Sequence, residues 1–448
     1  MSDKVVDSEV IRAAGERFRM MFDPEEIDAM QEHSPAAVYT PYVTVALMVL
    51  QRIRENATLE DAVSAAIAEG FFAALPGGDR RLMSAGNGAF SRARTRLDLE
   101  LAEAVCDRVF DLLVAAAPPS FAGRRAFAID GSTFSLSSDE KLRTAYPPAP
   151  NQHGKGVWPI MYAAVAYELS SGCAVRPEIG AMFGENRVSE IALSIRLLDR
   201  IPPDSIVIGD RNFGIFRFGY EARRKGRHFV TRLMEKRFLA LRRDAKRIGE
   251  GRWELDWRPS AWDRKHHPEI PADAVLPVHL HEVDAVDERG RPTKLWLATT
   301  LTDVEADGAT WAELYRRRWA GENDVRNVKV AMEMDELRGR SDSMVRKELA
   351  LGTAAYNLVI QVRRIAARAA KAEPRDLSFK GTWSLVRELL APRTRAPEEY
   401  LRVFEIVIRG AGQRKLPKRP GRHNPRTVLP RTQKYPKRKP GKPAHEPV

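Results

Sequence analysis

Two short apolar segments of this chain each end at an aspartate, and this feature constrains the fold more than any other. Residues 125–131 read RAFAIDG and contain Asp130, and residues 205–209 read SIVIG and are followed by Asp210. Short apolar runs between turn residues indicate buried strands. A carboxylate there is costly unless it is paired, hydrogen-bonded or bound to a metal. A lone acid at a strand end more often forms a turn or caps a helix, so both interpretations stay open.

The segments around the two aspartates alternate between strand and helix. Residues 158–169 and 173–182 are predicted to form a hairpin around a Ser-Ser-Gly turn, and residues 189–200 have helical apolar spacing. The order is therefore a strand with an acid, a hairpin, a helix, and a strand with a second acid. This order matches a ribonuclease H-like core, and the predicted fold class is α/β.

The chain is too long, at 448 residues, for one ordinary domain. Residues 10–120 read as helical, residues 211–310 hold four of the eight tryptophans and many alternating segments, and a long helix is expected after Asp307. The sequence predicts six units in chain order: a helical N-terminal DNA-binding domain (1–120), the first part of the ribonuclease H-like core (121–210), a β-rich insertion (211–310), the second part of the core with a helix that carries Glu322 (311–370), a C-terminal helical segment (371–408), and a basic, proline-rich flexible tail (409–448).

Three arginines near the end of the N-terminal unit, Arg92, Arg94 and Arg96, lie on a predicted helix that follows a turn. Such a helix can enter a groove of DNA. A run of charge on a helix is as often only a solvated face. Both interpretations stay open, and the first makes these three residues candidate DNA contacts.

The positive charge of the chain is concentrated at its C-terminal end. The formal net charge is +13, and residues 409–448 hold thirteen Lys or Arg against one acid, Glu446. This segment is also rich in proline and poor in large apolar residues, so it cannot bury enough surface to fold alone. We interpret it as an arm that binds a polyanion, most plausibly nucleic acid. The alternative is a tail that only increases solubility.

Cysteine content and hydropathy exclude several classes of protein. Only two cysteines occur, Cys106 and Cys173, which is too few for a disulfide framework or a zinc site. No basic-then-apolar secretion signal is present, and no apolar run is long enough to span a bilayer. We therefore expect a cytoplasmic protein without a membrane partner.

A third acid stands among cations and an aromatic residue in the segment after Asp307. Tyr315, Arg318, Glu322 and Lys329 are spaced by three, four and seven residues, which places them on one stripe of a regular helix. Such a stripe suits a DNA strand end, since the acid holds metal and the cations hold phosphates. On spacing alone, an exposed helix with an Arg318–Glu322 ion pair is the simpler interpretation.

The same four residues carry a resemblance to a known family. The pattern Y-x2-R-x3-E-x6-K resembles the signature of the insertion-sequence-4-type bacterial DDE transposases, and all four of its fixed positions are present. Residues 129–132 (IDGS) look like the block around the first Asp of that family, and residues 209–214 (GDRNFG) look like the block around the second. The helical N-terminal segment and the basic C-terminal end are similar as well, so the resemblance covers nearly the whole chain.

The resemblance implies roles for the matching residues. Asp130, Asp210 and Glu322 would be the catalytic triad on a ribonuclease H-like fold and would bind two magnesium or manganese ions. Tyr315, Arg318 and Lys329 would contact DNA near the cut, and Arg326, one turn after the glutamate, would add a phosphate contact. Trp296 lies where related enzymes hold a flipped base, although it is nearly as well explained as a core residue of a strand.

The resemblance also implies the reaction and the partners. The activity would be cut-and-paste transposition through a hairpin intermediate, acting on the terminal inverted repeats of the element and on target DNA. A homodimer is expected in the DNA complex, and the protein would be cytoplasmic and associated with the bacterial nucleoid when bound to DNA. Two alternatives remain: a transposase-derived DNA-binding protein that no longer cuts, and another ribonuclease H-like nuclease. The intact triad argues against the first, and the long insertion before Glu322 argues against the second.

Overall fold

The structure is a computed structural model that describes residues 23–54, 57–68, 86–151, 154–286, 291–389 and 397–417. Residues 418–448 of the predicted tail lie outside these ranges, and so do residues 10–22 of the predicted helical unit. The first four residues of the predicted tail, 409–412, belong instead to the last helix.

Most helices lie before the first strand and after the last one. The α-helices are α1 (Pro24–Ala29), α2 (Pro41–Ile53), α3 (Leu59–Ala68), α4 (Gly88–Arg96), α5 (Leu99–Ala115), α6 (Glu140–Ala145), α7 (Glu190–Leu197), α8 (Phe216–Arg224), α9 (Glu235–Arg242), α10 (Ala261–His266), α11 (Gly308–Arg316), α12 (Trp319–Arg326), α13 (Asp342–Ala369), α14 (Phe379–Leu389) and α15 (Pro397–Gly412). Side-chain caps stabilise the first turns of several helices. At α2 the Thr40 side chain accepts from the Val43 amide, and at α11 the Asp307 side chain accepts from the Thr310 amide.

The strands form one large sheet and one short ribbon. They are β1 (Ala126–Leu136), β2 (Pro150–Asn151), β3 (Gly154–Lys155), β4 (Ile160–Glu168), β5 (Glu178–Ala181), β6 (Ile206–Gly209), β7 (His228–Arg232), β8 (Lys246–Gly249), β9 (Arg252–Trp257), β10 (Leu276–Val286), β11 (Pro292–Thr299) and β12 (Glu336–Leu337). The large sheet has ten strands in the order β5-β4-β1-β6-β7-β11-β10-β9-β8, with β12 paired to the end of β1.

The centre of the sheet is a mixed α/β core. β1, β6 and β7 are parallel neighbours, and the predicted hairpin is present as β4 and β5, which pair antiparallel beside β1. The predicted helix between the hairpin and the second Asp is α7. These features confirm the predicted fold class, an α/β fold with a ribonuclease H-like core preceded by helices.

The residues predicted as an insertion extend this sheet and do not form a separate one. β7 pairs parallel with β6, and β11 then pairs antiparallel with β7 through Thr299 and Val230. β10, β9 and β8 continue outward from β11. The sheet therefore runs without a break across residue 210, the predicted boundary between the core and the insertion.

The two faces of β1 pack against different layers. Ala126 and Ala128 belong to a small cluster with Trp311 of α11, whereas Phe127 and Ile129 belong to the large core that also contains Leu193 of α7. Side chains alternate between the faces of a strand. Asp130 is therefore on the face of β1 that packs against α11, and residue 131 is on the face that packs against α7.

Helix α13 is 28 residues long and ties the sheet to the N-terminal helices. Helix α13 packs against α5, α2 and α15. Asn357, completely buried in this helix, hydrogen-bonds both polar groups of one sheet residue: its side chain accepts from the Ala174 amide at 2.8 Å and donates to the Ala174 carbonyl at 2.9 Å. In the described ranges no helix is long and apolar enough to cross a membrane.

We expect Asn357→Ala to destabilise the chain by about 3 kcal/mol, because it leaves a buried backbone amide and a buried carbonyl without partners. Urea-induced unfolding followed by circular dichroism measures the change. The control is Arg368→Ala, which removes an exposed side chain from the same helix and should change the free energy of unfolding by less than about 0.5 kcal/mol. Equal effects of the two substitutions would contradict this account.

Candidate active site

Asp130 and Asp210 lie on neighbouring parallel strands, Asp210 directly after β6 and Asp130 within β1, which continues to Leu136. The prediction that the first strand ends at its aspartate is therefore wrong. The last register pair of β1 with β6 is Ala128 with Ile208, and each aspartate lies two residues beyond it. The Asp130 carboxylate accepts from the Gly131 amide at 2.9 Å, and the Asp210 carboxylate accepts from the Asn212 amide at 2.8 Å. Asp210 thus caps the short helical turn that follows it, whereas Asp130 lies in an extended strand. In both cases the hydrogen bond uses only part of the carboxylate.

Glu322 reaches the same site because α12 comes very close to β1. The contact is made at Gly321, where an added Cβ would lie 2.9 Å from the Ala128 Cβ. Glu322 is the next residue, and its carboxylate accepts from Arg318 Nη2 at 3.0 Å. Ala128 and Asp130 share a face of β1, so this close approach brings the third acid to the two aspartates.

The three carboxylates influence one another electrostatically. Burial raises the pKa of Asp130, and the negative charges of Asp210 and Glu322 raise it further. The Gly131 amide and the Arg318 guanidinium oppose that increase. Like charges that are held together in this way favour binding of a cation.

The segment that carries Glu322 is not the single regular helix predicted from the sequence. α11 ends at Arg316 and α12 begins at Trp319; between them the amides of Arg318 and Ala320 bond carbonyls three residues earlier. After α12 the chain forms a π-helical turn, Asn327–Ala331. The prediction of one continuous helical stripe is therefore wrong, because a tight turn and a wide turn change the spacing.

Of the cations in the predicted stripe, Arg318 lies beside the acids, and Lys329 contacts β1 three residues beyond Asp130. The Arg318 guanidinium lies 5.9 Å from the centre of the Tyr315 ring, and its buried Nε has no hydrogen-bond partner. Lys329, in the π-helical turn, donates to the carbonyl of Thr133 on β1 at 2.7 Å. Arg326 is exposed, as expected for a residue that contacts DNA.

Trp296 is half-buried in β11, opposite Glu282 of β10. Its ring centre lies 6.4 Å from that of Phe238, and it packs against the large core. Trp296 thus has part of the core role that is one of its two interpretations, and it is also partly exposed.

Arg94 does not have the exposed position predicted for a DNA contact. Its side chain is 10% exposed and its Nη2 forms an ion pair with Glu348 of α13 at 2.7 Å. Arg92 and Arg96, on the same helix, are exposed. The prediction is wrong for Arg94, because this position of α4 faces inward, toward Glu348. The amides of Arg338 and Gly339 donate to the same glutamate.

The acids suit a hard divalent cation by their chemistry. All donors are carboxylate oxygens, the type that magnesium and manganese prefer. Among the described residues no three acidic, histidine or cysteine side chains close around one point. This open arrangement fits an ion such as magnesium, which takes one or two carboxylates and fills its other positions with water and substrate phosphate.

Two acids near the site were not singled out from the sequence. Asp324, on α12, is 1% exposed and forms an ion pair with Arg375 at 2.8 Å. Glu190, the first residue of α7, lies against Gly131. Sequence spacing alone marks Asp324 as one more polar residue of a helix and Glu190 as an ordinary acid in a first helical turn, so no local signal distinguishes them.

Comparisons with known proteins agree with this geometry. The family described as "Transposase DDE domain" matches residues 121–358. The chain is also similar to the transposase InsG for insertion sequence element IS4 of Escherichia coli (strain K12). The two are 25% identical over 358 residues, which cover 78% of this chain and 77% of that protein.

We expect Arg94→Ala to lower the free energy of unfolding by about 3 kcal/mol, since it removes one partner of a buried ion pair. The matched substitutions Arg92→Ala and Arg96→Ala change exposed side chains and should cost less than about 0.5 kcal/mol. Urea-induced unfolding of the three variants makes the comparison. An Arg94→Ala protein as stable as the other two would show that the ion pair does not stabilise α4 against α13.

Proposed function

This chain belongs to the family of DDE-domain transposases, of the insertion-sequence-4 type, and we propose that it moves its element by cut-and-paste transposition. In this proposal it nicks DNA at each terminal inverted repeat, forms and opens a hairpin, and joins the freed ends to target DNA. The observation that carries the proposal is the convergence of Asp130, Asp210 and Glu322 from two strands and a helix.

DDE transposase domains generally use divalent metal ions, and we assign the triad as the residues that hold them here. The chemistry that two bound magnesium or manganese ions supply in such a site is activation of the attacking oxygen and stabilisation of the leaving oxygen. Both Asp210 and Glu322 raise the pKa of Asp130, so the three carboxylates would hold the ions together.

Arg318 is proposed to bind a phosphate of the DNA near the cut. Its Nη2 binds Glu322 at 3.0 Å, and its side chain is 13% exposed. A guanidinium has five N–H donors, so it can bind a phosphate oxygen while it keeps its carboxylate contact. This contact would orient the scissile phosphate beside the triad.

Tyr315 and Lys329 are proposed to flank that phosphate. Burial raises the pKa of the Tyr315 phenol, which keeps its proton available as a hydrogen-bond donor. The Lys329 ammonium already contacts the end of β1 through Thr133 and has further donors for a phosphate oxygen. Arg326, exposed one turn after Glu322, would add a contact to the DNA backbone.

Trp296 is proposed to stack on a base that is flipped out of the duplex during hairpin formation. The support is its half-buried position: the residue packs against the core and is still partly exposed. Stacking of this kind does not depend on the identity of the base.

Two further parts of the chain are proposed to bind DNA. The exposed Arg92 and Arg96 would contact the terminal repeat from α4, and the basic segment after Gly412 would bind the DNA backbone. Two protomers are expected in the DNA complex, because each of the two element ends must reach a triad. With DNA as the partner, we place the protein in the cytoplasm, at the nucleoid when bound.

The decisive experiment is cleavage of a plasmid that carries the ends of the element, in the presence of magnesium. We expect Glu322→Gln to bind the ends but to cut them at least about a hundredfold more slowly, since the site is left without one of its ion ligands. The control Glu313→Gln changes an exposed acid of α11 that bonds only Arg316, and it should cut like the wild type.

Two results of that experiment would contradict the proposal in different ways. If Glu322→Gln cuts as fast as the wild type, Glu322 does not belong to the catalytic site. If the wild type binds the ends but never cuts, the chain is a transposase-derived DNA-binding protein.

The basic segment is tested by the salt dependence of DNA binding. Deletion of residues 418–448 removes ten Lys or Arg and leaves α15 whole. The slope of log K against log salt should become shallower by about 0.9 for each DNA phosphate that the segment neutralises in the intact protein. The control replaces the same residues with a Gly/Ser segment of equal length, which should behave like the deletion. An unchanged slope in both variants would mean that the segment only increases solubility.

A further inference from the structure

Glu190 lies on the opposite side of β1 from Glu322. It is the first residue of α7, and Ser189 caps the helix by accepting from the Ala192 amide at 3.2 Å. α7 packs on the sheet through Leu193 and Leu197, which are completely buried. This packing fixes the first turn of α7 over β1, and Glu190 points at residue 131.

The carboxylate of Glu190 occupies the space where residue 131 has no side chain. A Cβ added at Gly131 would lie 2.4 Å from Glu190 Oε1 and 2.8 Å from the hydroxyl of Tyr162. No real Cβ makes such short contacts, so glycine is required here for the carboxylate to reach the backbone of β1. Gly131 is the neighbour of Asp130, so the Glu190 carboxylate lies against the backbone of β1 next to Asp130.

The surroundings of Glu190 are acidic. Burial raises its pKa to about 7, and the charges of Asp130 and Asp210 contribute in the same direction, opposed by a hydrogen bond from the Gly131 amide. Within the described part of the chain no lysine or arginine forms an ion pair with it. A carboxylate placed here has two like charges nearby and no protein cation.

Two other buried glutamates show how this chain stabilises a carboxylate of purely structural role. Glu168 accepts hydrogen bonds from the hydroxyls of Ser120, Ser170 and Ser171, which hold its pKa below the ordinary value in spite of burial. Glu348 has Arg94 and two backbone amides. Among the described residues Glu190 has no comparable set of partners.

We propose that Glu190 is a fourth carboxylate of the active site and binds, directly or through water, the divalent ion on the side of Asp130 and Asp210. This inference rests on the proposed metal-dependent function. Glu322 would hold the opposite side of the site from α12, so that acids approach from both faces of β1. The absence of a side chain at Gly131 would then serve the function, because a side chain there would separate Glu190 from the ion.

The test is Mn²⁺ binding to the full chain, measured by electron paramagnetic resonance of the free ion, with Glu190→Gln as the variant. Glutamine keeps the shape and can still accept from the Gly131 amide, so urea-induced unfolding should be unchanged. We expect the Kd for Mn²⁺ to rise at least about tenfold, because the ion then has one charged ligand fewer. Glu190→Asp, which keeps the charge on a shorter side chain, should recover part of the affinity.

The matched control is Glu185→Gln, an exposed acid five residues earlier, which should bind Mn²⁺ like the wild type. Asp130→Asn and Asp210→Asn are the positive controls and should abolish binding. If they abolish it while Glu190→Gln binds like the wild type, Glu190 is a structural residue and this inference fails alone. If both Asn variants also bind Mn²⁺ like the wild type, no ion is held by the aspartates, and both this inference and the metal-dependent function fail.

Discussion

The ion pair between the buried Asp324 carboxylate and Arg375 is the interaction on which the geometry of the candidate active site depends. Asp324 lies two residues after Glu322 on α12, and Arg375 binds both of its carboxylate oxygens, at 2.8 and 3.2 Å. The Tyr356 hydroxyl lies 3.2 Å from one of them and donates to the Gly172 carbonyl at 2.9 Å. Because an unpaired buried charge is very costly, α12 has little freedom to turn or slide, and Glu322 is held at the sheet.

The same network joins parts of the chain that are far apart in sequence. Gly172, in the turn between β4 and β5, has a φ of +86°, and a Cβ there would lie 2.8 Å from Arg363 Nη2 and 3.0 Å from Asp324 Oδ1. The turn thus needs glycine both for its backbone conformation and for space. α12, the β4–β5 turn and α13 meet around one carboxylate, so the helix that carries Glu322 is positioned by the core and not by its own loop.

Acids with two different purposes can be distinguished by their partners. Glu168, Asp324 and Glu348 have their hydrogen bonds and cations inside the chain. Asp130 has the charges of Asp210 and Glu322 beside it, opposed by Arg318 and the Gly131 amide. Glu190 has the charges of Asp130 and Asp210 beside it, and burial makes such interactions stronger. This contrast separates carboxylates that the fold itself pairs from the carboxylates that are proposed to hold a metal ion.

The sequence by itself determined the fold class and predicted three acids, Asp130, Asp210 and Glu322, that lie near one another in the structure. The signals for these are local: apolar runs that end in Asp130 and Asp210, and the spacing around Glu322. Tertiary structure decided what depends on distant contacts. Arg94 turned out to be buried because Glu348, 254 residues later, lies beside it. The segment around Glu322 is divided into α11 and α12, and the residues predicted as an insertion continue the central sheet. Both features depend on packing and strand pairing with other elements. Glu190 reaches the site only because α7 packs over Gly131, and no pattern of nearby residues records that contact.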